Sequence, residues 1–182
     1  ENSVQVFDYR TMRRKDGSPV EIELVTRLLP DGRCLAVGRD ISDQSKALSQ
    51  QNLLSSIVNS TDDAILSTDV NGIITSWNKG AEQMYGYTAE DMIGKSHEEL
   101  IPENITDDEL AIMDRIYSGE FLQHYETRRK RKDGTLLQVS ITTSPLLNKK
   151  GELTGISKVV RDITRQKEAE KELIQIAAEN QL

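Results

Sequence analysis

Residues 128–164 read RRKRKDGTLLQVSITTSPLLNKKGELTGISKVVRDIT. Asp133-Gly134 is a hairpin turn, because a glycine beside an aspartate accepts the positive φ that tight turns require. The run from Leu136 to Leu147 is rich in Val, Ile and Thr, which suit a pleated surface. Asn148-Lys149-Lys150-Gly151 is a second turn. A third apolar run ends in Arg161-Asp162-Ile163-Thr164, where a charged helical pattern begins. The stretch therefore predicts three antiparallel strands that hand over to a helix.

The pattern occurs twice. Residues 13–42 read RRKDGSPVEIELVTRLLPDGRCLAVGRDIS. Asp16-Gly17 matches Asp133-Gly134, 117 residues on, and Arg39-Asp40-Ile41-Ser42 matches Arg161-Asp162-Ile163-Thr164, with 122 residues between the aspartates. A period near 120 residues is the size of a small domain. The chain is thus expected to hold the last third of one domain copy and the whole of a second, and to begin inside a longer protein.

Ahead of the second hairpin, residues 64–95 read AILSTDVNGIITSWNKGAEQMYGYTAEDMIGK. Together with R-K-D-G and R-D-I-T, this order resembles the PAS sensor domain with its C-terminal PAC segment, as in bacterial or archaeal sensor histidine kinases. The resemblance covers about 55–165 as a complete copy and 4–43 as the tail of another. It implies an α+β fold, the PAS fold: a five-stranded antiparallel sheet with short helices on one face, flanked by linker and coiled-coil helices. The expected domains are 1–43 (C-terminal strands of a truncated first PAS domain), 44–60 (linker helix), 61–165 (complete PAS domain) and 166–182 (coiled-coil output helix).

Composition narrows the function. Net charge is −7, with acids and bases mixed along the chain, which argues against nucleic acid as the main partner. The basic run Arg128–Lys132 is expected to be a solvated strand edge, blunted by charge against edge pairing. One cysteine, Cys34, precludes an intramolecular disulfide and suits a reducing cytosol, so a cytoplasmic location is expected, with the parent protein free to be membrane-anchored. No apolar run reaches the roughly 18–20 residues needed to span a bilayer.

Local signals place the elements. Strands are expected over about 5–13, 18–28 and 33–40. Their apolar face needs a partner layer. Ala47, Leu54 and Ile57 share a helical stripe within 42–60. Asn78 is a helix N-cap, Gly86 stops that helix, and Thr88 caps the next. Thr106-Asp107-Asp108-Glu109 is a capping box for a helix over 106–118, whose face carries Leu110, Met113, Ile116 and Tyr117. Leu137, Val139, Ile141 and Thr143 alternate with polar residues and are expected to face inward. Ala169, Leu173, Ile176 and Asn180 step by 4, 3 and 4, the seam of a coiled coil.

The expected ligand pocket is lined by Trp77, Met113, Tyr117, Tyr125, Val139, Ile141 and Thr143. No cofactor is the first expectation. Haem in the resembling family is held by a histidine on the long pocket helix, and 106–118 contains none; the two histidines are His97 and His124. Light-oxygen-voltage flavin domains need a cysteine in G-x-N-C-R, and His97 stands at that place after Gly94-Lys95-Ser96. Non-covalent FAD, with Trp77 stacked on it, is the remaining flavin option. A small organic acid needs a cationic anchor inside the pocket. No inward arginine is evident. Lys158, which shares strand parity with Ile156 and Val160, is the candidate, although a strand lysine more often snorkels out.

The signal junction is expected at Asp40, Arg161, Asp162 and Thr164, each aspartate capping the helix it precedes. No catalytic or metal-ligating constellation is present in the sequence, and a kinase output would lie outside the chain. The expected partners are a second copy, through the linker and C-terminal helices, and a small-molecule ligand. The rival expectations are a flavin or haem sensor and a ligand-free dimerisation scaffold.

Overall fold

The computed structural model describes residues 5–103, 112, 115, 116, 118 and 120–179, with only the backbone of 5–7. Two compact units divide at Ser56 and Ile57.

In the first unit β1 (Gln5–Arg13), β2 (Pro19–Leu28) and β3 (Cys34–Asp40) form an antiparallel sheet in the order β1-β2-β3. Its turns use Gly17 and Gly32, both with φ above +80°. α1 follows over Ser42–Asn59. Val20 is buried, whereas Tyr9, Met12, Leu35 and Val37 are at least half exposed. These apolar residues of the first sheet are thus largely in view of solvent.

The second unit is a five-stranded antiparallel sheet in the order β5-β4-β8-β7-β6. Its strands are β4 (Ala64–Asp69), β5 (Ile74–Trp77), β6 (Tyr125–Lys130), β7 (Leu136–Leu147) and β8 (Leu153–Asp162). Between β5 and β6 run α2 (Lys79–Tyr85), α3 (Ala89–Met92) and a 3₁₀ turn at His97–Leu100. α4 (Thr164–Glu179) follows β8 directly. The helix expected over 106–118, with its capping box and with Met113 and Tyr117, lies outside the described residues, apart from Ile112, Arg115, Ile116 and Ser118.

Period-two alternation sets the core. Leu137, Val139, Ile141 and Thr143 are each 4% exposed or less, and the first three join Leu66, Ile74, Met84, Tyr85, Met92 and Leu100 from the neighbouring elements in one apolar cluster. Asn78 fastens α2 to the sheet. Its Oδ1 accepts from the Ile65 and Ala81 amides at 2.8 Å, and its Nδ2 donates to the carbonyls of Val58 and Asp63. One side chain thereby caps the helix and ties it to the start of β4. Gly86 closes α2 at φ +79°, and Thr88 with Asp91 forms a reciprocal capping box on α3.

Candidate functional site

Four strands and the elements that cover them bring side chains to one small cavity on the inner face of the second sheet. Leu66 comes from β4, Lys158 and Val160 from β8, Ile141 from β7 and Arg129 from β6, and Tyr85, His97 and Leu100 close the other side. The register explains the grouping. Lys158 lies beside Leu66 on one flank and Thr143 on the other, and Ile141 lies beside Val160. Each is therefore on the pleat that faces α2 and the 3₁₀ turn. The cavity has a volume of about 20 Å³, enough for a water-sized group.

The lining is electrically unusual. Arg129 and Lys158 are 8% and 6% exposed, and charged side chains are almost never buried this deeply. Burial, with the Arg129 guanidinium adding to it, drives the Lys158 ammonium down to about 7. Burial, and then the charge of Lys158, takes the His97 imidazole down to about 4, so the ring is neutral at pH 7. Its Nδ1 lies 3.1 Å from the Gly72 carbonyl oxygen; a carbonyl can only accept, so Nδ1 carries the proton. The Tyr85 phenol is pushed well above its usual range by burial, and Arg129 opposes that rise. Arg129 itself donates to the Arg128 carbonyl at 2.7 Å and to Thr127 Oγ1 at 3.3 Å.

Of the expected pocket residues, Ile141 lines this cavity, and Val139 and Thr143 are buried on the same face of β7. Tyr125 is half-buried at the start of β6. Trp77 is buried against Tyr85, with ring centroids 5.4 Å apart, and its Nε1 donates to the Tyr87 carbonyl. Lys158, the candidate anchor, faces inward. Two expectations need correction. An inward arginine does exist, and the basic run Arg128–Lys132 is not all solvated edge, because Arg129 points into the core. Strand parity with Tyr125 was the signal that could have found it. His97 is buried as well.

The junction beyond β8 is built from the chain's own polar groups. Asp162 Oδ1 accepts from the Thr164 amide at 2.8 Å, its Oδ2 lies 3.5 Å from the Arg131 guanidinium, and Thr164 Oγ1 accepts from the Gln138 amide at 3.0 Å. Arg161 makes a two-toothed pair with Asp63 at 2.7 and 3.1 Å, and Lys167 on α4 reaches Glu126 on β6. The first unit repeats the plan. Asp40 accepts from the Ser42 amide and pairs with Arg14, and Ser42 Oγ accepts from the Glu21 amide. Arg14, Glu21, Asp40 and Ser42 are the repeat equivalents of Arg131, Gln138, Asp162 and Thr164.

Among the described residues no group of three or more His, Cys, Asp or Glu is arranged to hold a metal ion, and no helix is long and apolar enough to cross a membrane.

A family model described as PAS fold matches residues 52–163, more than half of the chain. The chain is 24% identical over 163 residues to signal transduction histidine-protein kinase AtoS of Escherichia coli (strain K12), covering 88% of this chain and 26% of that protein. It is 34% identical over 110 residues to two-component system protein A of Emericella nidulans, covering 60% of this chain and 16% of the relative. It therefore spans about a quarter or less of these relatives' lengths. Among solved structures, a PAS domain from Colwellia psychrerythraea superposes with a TM-score of 0.56 at 28% identity, covering 65% of this chain and 98% of that one.

Proposed function

The chain belongs to the PAS family, and from that premise we propose that residues 61–165 are a signal-relay module of a sensor histidine kinase. The module passes a ligand- or conformation-dependent signal from its sheet through Arg161-Asp162-Ile163-Thr164 into α4. As a PAS domain it is a sensory module rather than a catalyst. Residues 1–43 are the C-terminal strands of a first PAS domain, 44–60 the linker and 166–182 the output helix. The module works in the cytoplasm, in a protein whose catalytic output lies elsewhere.

One observation carries this reading: the same four-residue junction is built twice, each time where a sheet meets a helix. An ordinary helix cap needs only the aspartate and the amide it binds. Here the aspartate is also pinned by an arginine from the hairpin turn, so movement of that hairpin bears on the first turn of the helix.

The cavity's 20 Å³ is far below the roughly 300–1,000 Å³ of sites for drug-sized ligands. The proposed relay needs neither an isoalloxazine ring nor a porphyrin. Trp77 packs in the hydrophobic core.

α4 displays Leu173, Ile174 and Ile176 at about half exposure or more, which supports pairing with the α4 of a second copy. Disulfide trapping tests dimer and relay together. With Cys34→Ser as background, Leu173→Cys should cross-link on mild oxidation. Adding Asp162→Ala should slow trapping several-fold. Adding Glu152→Ala, which removes a carboxylate bonded to Asn148 in the turn between β7 and β8, should leave the rate unchanged. Failure to cross-link would count against the dimer, and an Asp162→Ala rate equal to the parent's would count against the relay.

A further inference from the structure

We propose that Asn71 is a self-modification site: Gly72 and water convert its side-chain amide to aspartate and isoaspartate, and the isoaspartate form releases His97 from the turn that holds it. The site lies in the turn between β4 and β5, and its chemistry is independent of the relay.

Three observations converge. The first is chemical. Among the chain's asparagines, only Asn71 is followed by glycine. The backbone nitrogen of the next residue can attack an asparagine amide through a five-membered ring. A Cβ on that residue crowds the attack, and glycine has none. The second is freedom. Asn71 is exposed, and among the described residues its side chain makes one long contact, from Nδ2 to Asp69 Oδ2 at 3.4 Å. The other described asparagines with printed bonds are held harder. Asn78 Oδ1 accepts from two amides at 2.8 Å, and Asn59 Oδ1 accepts from the Lys79 amide at 3.0 Å. Asn148, also in an exposed turn, accepts from the Lys150 and Glu152 amides and donates to Glu152 at 2.7 Å. The attacking Gly72 nitrogen is tied back by a 3.2 Å bond to the Asp69 carbonyl, at the long end of such bonds. Turn tips open at small cost, which frees it. The third is what the turn holds. The Gly72 carbonyl accepts from the His97 amide and faces its Nδ1, each at 3.1 Å, and His97 lines the cavity.

The reaction balances with water alone. The Gly72 nitrogen bonds to Asn71 Cγ and gives up its proton. The Cγ–Nδ2 bond breaks, and ammonia leaves with that proton. Water then opens the cyclic imide at one of its two carbonyls and returns a proton to the Gly72 nitrogen. Opening at the side-chain carbonyl leaves aspartate in an unchanged main chain. Opening at the other routes the main chain through Cγ. That isoaspartate adds one main-chain bond of about 1.5 Å ahead of Gly72. The Gly72 carbonyl then moves away from His97, which keeps its other interactions and loses these two. Either product also sets a new carboxylate beside Asp69.

The test is to hold the whole folded chain at mildly alkaline pH and body temperature, digest it in acid, and follow each asparagine peptide by mass spectrometry with fragmentation that tells isoaspartate from aspartate. The expected result is loss of the Asn71 amide faster than that of Asn148, with both products formed and ammonia released in equal amount. Loss at Asn71 no faster than at Asn148, or loss only after unfolding in urea, overturns the site. Hydrogen exchange at the His97 amide tests the consequence. It should quicken in the converted sample. It should stay at the starting rate in Asn71→Gln held alongside, which closes the ring far less readily, and in fresh Asn71→Asp, which carries the charge without the extra bond. Unchanged His97 exchange in the converted sample overturns the release of His97. The relay is judged separately at Asp162, whose variants leave the Asn71 chemistry unaltered.

Discussion

Replacing Gly80 by alanine should destabilise the second unit by about 3 kcal/mol and lower its melting midpoint by roughly 10 °C. Gly80 sits in the first turn of α2, where the helix meets the chain entering β4. A Cβ there would overlap the Asp63 carbonyl oxygen and lie 2.9 Å from the Thr61 carbonyl oxygen. Those are backbone atoms, so relief requires moving the helix or the strand. Moving either strains the Asn78 bonds to Ile65, Ala81, Val58 and Asp63. Gly155→Ala on β8 should behave likewise, because its Cβ would run into the Thr68 carbonyl. Gly134→Ala is the contrast. Nothing lies within 4 Å of its Cβ, and the cost is the strain of φ +85° alone, about 1–2 kcal/mol. Circular-dichroism melts of the three variants check the ranking. A Gly80→Ala midpoint within about 2 °C of the parent would contradict the close helix–strand approach.

Lys158→Met should stabilise the chain at neutral pH and remove a rise in stability on the alkaline side. The folded chain holds the Lys158 ammonium down to about 7, against an ordinary value of 10.5. Between those two values the unfolded chain carries the extra proton, so the stability of the native chain increases with pH across that window. At pH 7 and below, the cost of the buried charge is fully present. A displacement of this size corresponds to several kcal/mol. Methionine keeps most of the length and removes the charge, so the variant should be more stable at pH 7 and flat from there to pH 9.5. His97 acts in the acid window in the same sense: the unfolded chain binds the proton first, and stability falls as pH drops from 6.5 towards 4. Urea unfolding at pH 6.5, 8 and 9.5 tests the lysine. Parallel curves for parent and variant would show that the ammonium is solvated.

Much of this fold is legible in the residues. Asp133-Gly134 and Asn148–Gly151 mark hairpins, Asn78 and Thr88 mark helix starts, and the alternation from Leu137 to Thr143 identifies the buried face of β7, because each signal is local and carries its own geometry. The candidate cavity is less legible. Arg129 sits in a basic run, and a rule that sends charge to solvent places it outside. The two-residue period running back to Tyr125 places it inside. The period prevails because the inner face of β6 is covered, although the strand itself lies at the edge of the sheet. Lys158 is visible by the same parity. Its proximity to Arg129, Tyr85 and His97 is not, since those residues meet across four elements with no common spacing. The junction falls between these cases. Each cap is plain in Asp162 and Asp40, but the arginine that pins each one comes from the opposite end of a hairpin, and only strand register brings it there.

The central claim is that the state of the pocket reaches α4 through Asp162. Hydrogen exchange over Thr164–Glu179, in the parent, Lys158→Met, Asp162→Ala and the double variant, tests it most directly. Helix ends open by local fraying well below global unfolding, so a change in overall stability alone does not move these amides. The relay predicts that Lys158→Met alters α4 exchange when Asp162 is present and has no effect when it is absent, a non-additive cycle. An α4 indifferent to Lys158, or one that responds equally in both backgrounds, would contradict it.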